Sequence, residues 1–128
     1  MAYAGTGRFE LAVDDGLRAI ELDAGSASAH NNLAWILATG HDPAFRDNVK
    51  AVQHATRGCE ISEWKDAGYM DTLAAAYAEA GDFESAVRVI REAIEIERRR
   101  NPRVHLEALR DHLARFEARQ PLRDPDGG

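Results

Sequence analysis

The chain has one cysteine and four prolines among its 128 residues. One cysteine excludes an internal disulfide and leaves the redox compartment undetermined. So few prolines leave long stretches open to regular structure. With 45% hydrophobic residues, that suits one all-helical domain with room for a core. No apolar run is long enough to span a bilayer, so no membrane partner is expected. Residues 1–15 have neither a basic start nor a continuous apolar segment. No secretory signal is visible there, and a cytoplasmic location is expected. Positive charge is short too: the net charge is −6 and the pI about 5.3, which argues against general nucleic-acid binding. Catalytic signatures are missing. The sequence has no G-x-S-x-G, no H-E-x-x-H, no P-loop and no paired-glycine nucleotide fingerprint. His105 and His112 are seven apart, and His54 and Cys59 five apart, whereas helical metal ligands sit three or four apart. No enzyme, cofactor or metal is expected.

What is present is a pattern that recurs. Residues 69–97 read as two amphipathic helices meeting at a tight turn. Leu73 and Tyr77 lie on one helix face, with Ala74 beside them as a small residue that lets a neighbouring helix approach. Gly81 fits a left-handed residue after the first helix, and Asp82 fits the cap of the second. Phe83, Ala86, Val87, Ile90, Ala93 and Ile94 then follow at helical period. Residues 3–22 overlay the later part of this unit. Tyr3, Gly7, Phe9, Ala12, Val13, Ala19 and Ile20 recur 74 positions on as Tyr77, Gly81, Phe83, Ala86, Val87, Ala93 and Ile94. A middle copy carries Leu33 and Ala34, then Ala51 and Val52. The step from Ala12 to Ala51 is 39 and from Ala51 to Ala86 is 35, which fits a repeat of roughly 34 residues with inserted loop residues.

On Met70, Leu73, Ala74, Tyr77, Gly81, Phe83, Ala86 and Ala93, the chain resembles the tetratricopeptide repeat (TPR) family. The resemblance covers about three-quarters of the sequence. It implies an all-α, TPR-like helical hairpin array, an α-solenoid wound as a right-handed superhelix. The expected layout is one domain over 1–120: a half repeat at 3–25, a repeat at 27–61, a repeat at 66–97 and a capping helix at 102–119. Residues 121–128 read as a disordered tail. Ser26 or Ser28 is the expected cap of the helix over 29–39. An insert at 40–48, with Asp42, Pro43 and Phe45, replaces the short turn of the middle repeat. Helix 48–61 is expected to pack through Val49, Val52, Ala55, Cys59 and Ile61, with Gly58 standing where the family has Ala. Trp64 reads as a partly buried loop anchor. Asn101 and Pro102 read as the start of the capping helix.

The resemblance also implies a function. TPR arrays bind peptides or helices in the concave groove lined by the first helix of each repeat. Those positions map to Ser28, Asn31, Asn32, Trp35, Thr39, Asp71, Thr72, Ala75 and Glu79. Trp35 is the expected hot spot, since a tryptophan supplies a large buried area; packing under the 40–48 insert is the alternative. Asp71 and Glu79 make the groove acidic, so a neutral or basic peptide is the expected partner. Asn32 matches the asparagine of the family's carboxylate clamp, but the clamp's basic positions are absent. The expected function is noncatalytic protein–protein interaction, within a larger protein or complex. The competing expectation is a homodimer. The first repeat lacks its first helix, so the stripe of Phe9, Val13, Leu17 and Ile20 is left partly uncovered and could support self-association. Charge is uneven along the chain: residues 1–87 carry a net −8 and residues 88–123 a net +4. Head-to-tail contact is a further expectation, weakened by salt.

Overall fold

The computed structural model describes residues 8–40, 46–101, 103 and 106–123. These residues form α1 (Arg8–Leu22), α2 (Ala27–Thr39), α3 (Asn48–Ile61), α4 (Ala67–Glu79), α5 (Phe83–Arg100) and α6 (Glu107–Glu117), with no strand among them. Local chemistry sets the helix starts. The side chains of Ser26, Asp47, Asp66 and Asp82 accept hydrogen bonds from the backbone N–H three residues ahead, at 3.1–3.2 Å. Each satisfies a donor that the first turn leaves open. Donation from Ser85 also holds the Asp82 carboxyl below the usual carboxylate range. Gly81 has φ +84°, the left-handed conformation its place between α4 and α5 demands.

The helices pair as antiparallel hairpins. In the α2–α3 pair, Asp47 donates its backbone N–H to the Leu37 carbonyl (3.1 Å), so the two ends of the insert are fastened together. Small residues set the packing distance: Ala34, Ala51, Ala74 and Ala86 are all fully buried. Gly58 is small for the same reason. A Cβ there would meet the Ala27 carbonyl at 3.3 Å. The core is continuous across the hairpins and runs from Leu33 and Leu37 through Met70 and Leu73 to Ile90 and Phe116. Val49 is a correction: it is largely exposed, while Ala51, Ala55 and Cys59 take the inner face of α3. Trp64 is more exposed than a loop anchor would be, at 43%.

Cys59 is fully buried, and burial pushes its thiol up to about 12. In the native protein it should resist alkylation by iodoacetamide at about pH 8, and react at the ordinary thiol rate in denaturant. Labelling followed by intact-mass measurement checks this; rapid native labelling would show that α3 opens locally.

The C-terminal part departs from the sequence reading in two places. Asn101 closes α5 and accepts from the Arg103 N–H (3.1 Å), an Asx turn rather than a helix cap. The next helix starts at Glu107, with no side-chain cap; Pro102 lies outside the described residues. Nor is the chain a free tail from residue 121. Leu122 is buried, and Arg123 pairs with Glu79 at 2.8 Å, so packing continues through 123.

Candidate functional site

A groove of about 580 Å³ opens between α2 and α4, lined by Asn31, Asn32, Trp35, Ile36, Asp71 and Thr72. Helical period brings the α2 residues together: 31, 32, 35 and 36 occupy one face. Five of the six belong to the set expected from sequence, and Ile36 is the addition. The Trp35 ring is half-buried and tilts toward the His112 ring of α6, with centroids 6.5 Å apart. The His112 ring also lies 6.4 Å from the Phe116 ring. The His112 Nδ1 lies 2.7 Å from Asp71 Oδ1, a contact spanning 41 residues. One imidazole from the terminal helix therefore joins the two helices that form the groove. The Asn31 amide oxygen is enclosed and finds no hydrogen-bond donor among the described residues. An enclosed acceptor left unpaired costs about 1–3 kcal/mol.

Thr39, Ala75, Ser28 and Glu79, also expected in the groove, do not line it. Thr39 is buried and donates its hydroxyl to the Trp35 carbonyl (2.7 Å), so it supports the helix behind Trp35 instead of facing a ligand. Thr72 is buried on the groove floor and donates to the Gly68 carbonyl (3.2 Å). Ala75 is buried and Ser28 exposed. Glu79 lies at the far end of α4. Arg46 is 3.4 Å from its Oε1 and Arg123 2.8 Å from its Oε2, so its charge is balanced there. Among the described residues, Asp71 is the one acid lining the groove.

Along α1, Val13 and Ile20 pack against the core from the outside, and Gly16 lets Leu33 come close: a Cβ at 16 would meet Leu33 Cβ at 3.2 Å. Leu17 remains 44% exposed, and Leu11 and Leu22 are more so. The Phe9 side chain lies outside the described residues, as do Asp42, Pro43 and Phe45 of the insert. Two histidines that the sequence offered no reason to pair, His30 and His54, meet beside α1 with their Nδ1 atoms 3.0 Å apart.

Among the described residues no helix is long and apolar enough to cross a membrane, and no three His, Cys, Asp or Glu side chains cluster as a metal site. The chain matches no protein-family model and no curated protein.

Proposed function

We propose that the chain is a TPR-like, noncatalytic interaction module that takes an extended peptide in the α2–α4 groove, with Trp35 as the anchor. The observation that carries this reading is the groove itself. A half-buried tryptophan is braced by His112 and flanked by two asparagines, in a cleft of a size that suits several side chains. The internal repeat supports the family assignment. Asp71 favours a neutral or basic peptide over an acidic one.

The test is selection of displayed random peptides on the protein, followed by fluorescence polarisation with the selected sequence. Trp35→Ala should weaken that peptide by about 30–100-fold, the range for losing a central aromatic anchor. Val49→Ser, on the exposed side of α3, should leave affinity unchanged. Selected peptides that bind equally well to Trp35→Ala would place recognition elsewhere and refute the groove reading.

A further inference from the structure

We propose that His30 and His54 form an acid-sensitive latch that keeps α1 seated on α2, and that the seat opens when the pair is forced to take a second extra proton. The proposal is independent of the groove.

The proton count follows from the geometry. His30 Nε2 lies 2.9 Å from the Ala24 carbonyl, which can only accept, so this nitrogen carries a proton. The two Nδ1 atoms, 3.0 Å apart, share one proton between them. In the neutral pair that proton sits on His54 and His54 Nε2 is bare. One further proton fits on His54 Nε2 with the bridge intact. The next would have to enter between the facing Nδ1 atoms. Two N–H groups would then point at each other across 3.0 Å with both rings charged, and the bridge must break.

The surroundings oppose the charged pair. His30 is buried and His54 half-buried. Burial, then His30, then Lys50 lower the proton affinity of His54. His54 borders a cavity of about 220 Å³ whose walls are Val13 and Leu17 of α1 and Leu33 and Leu37 of α2, with Arg46, Asp47 and Lys50 completing it. Asp47 already caps α3, and Arg46 is paired with Glu79. Among the described residues no titratable side chain of α1 lines this cavity; Glu10, Asp14, Asp15, Arg18 and Glu21 are exposed. The nearest acid of the α1–α2 loop, Asp23, is occupied by the Gly25 N–H. Lys50 makes the pair a poor seat for a metal cation, so the proton is what it exchanges.

The response falls on α1. The α2–α3 hairpin is closed by buried Leu33, Ala34, Leu37, Ala51, Ala55 and Cys59. By contrast, α1 rests on α2 through the small Gly16 contact and half-buried side chains. A His54 imidazolium freed from His30 borders four aliphatic side chains, two of them on α1, with Arg46, Lys50 and the capping Asp47 around them. Water reaches it most readily when α1 lifts.

Backbone hydrogen exchange of the full chain, corrected for the intrinsic rate, tests this between about pH 7.5 and pH 5.5. Protection of residues 10–22 should fall by about ten-fold or more in acid, while the α4 amides change by less than about two-fold. His54→Gln keeps a hydrogen-bonding amide but cannot titrate, so its α1 protection should be flat with pH. His112→Gln should keep the wild-type drop. An α1 loss that persists in His54→Gln, no loss in wild type, or parallel loss in α4 overturns the latch. If His54→Gln loosens α1 at every pH, the wild-type imidazole titration by NMR decides. Two separated protonation steps, with the α1 amides following the later one, sustain the proposal; two independent titrations overturn it.

Discussion

Phe116→Ala should lower the unfolding free energy by about 3–5 kcal/mol, the range for removing a buried aromatic ring. Among the described residues Phe116 is the largest fully buried side chain, and it comes from α6. An 11-residue helix such as α6 is marginal alone, so tertiary contact must supply its stability. The ring provides that contact against α5, beside Phe83 and Val87, and it backs the His112 imidazole that bridges to Asp71. Losing it removes apolar burial and loosens a groove contact together. Phe116→Leu, which keeps most of the volume, should cost less than about 1.5 kcal/mol. Urea unfolding monitored by circular dichroism measures both. A loss below about 1 kcal/mol for the alanine variant would mean that α6 is not part of the cooperative core.

These contacts mark the limit of what sequence reveals. The hairpins were legible because their signals are local: Gly81 before Asp82 at a turn, Leu73 and Tyr77 at helical spacing, and alanines wherever helices cross. That Asn31, Asn32 and Trp35 share a face of α2, as Asp71 and Thr72 adjoin on α4, was legible from helical period alone. Spacing along one helix could not show that His112 meets Asp71, or that His30 meets His54, because each pair is made by helices folding together. Sequence spacing sets His112 beside His105, seven residues earlier, whereas its partner lies 41 residues away. The same limit produced the misreadings at the C-terminal end. Asn101–Pro102 carries a sound helix-start signal, but Asn101 is spent on closing α5 and turning to Arg103. Leu122 and Arg123 sit in a polar, proline-containing stretch that reads as a tail. Leu122 is nonetheless buried, and Arg123 meets the carboxylate on α4.

That carboxylate, Glu79, is the second place where one substitution should be costly. Glu79→Ala should destabilise the fold by about 2–4 kcal/mol, somewhat under the full range for breaking a buried pair because some solvent reaches it. Its side chain is 15% exposed and the Arg46 side chain 16%. The two arginines lie far apart in the sequence and meet at this carboxylate. Arg46, at the end of the middle insert, also donates to the Gly40 carbonyl at 2.9 Å. Arg123 donates to its neighbour's carbonyl, Leu122, at 2.8 Å, so the same nitrogen holds Glu79 Oε2 by charge rather than by an aligned hydrogen bond. Removing the acid leaves two cations facing each other where one anion had balanced them. The variants should therefore be ordered: Glu79→Ala the most damaging, Arg46→Ala next, and Arg123→Ala the mildest at under about 1 kcal/mol, since Arg123 is the most exposed of the three. A double-mutant cycle between Arg46 and Glu79 isolates their coupling. Salt should change it little, because enclosed pairs are poorly screened. If Glu79→Ala costs less than Arg123→Ala, the insert and the C-terminal segment are held by the Asp47–Leu37 hydrogen bond and by Leu122, and the carboxylate merely sits between two charges that solvent already neutralises.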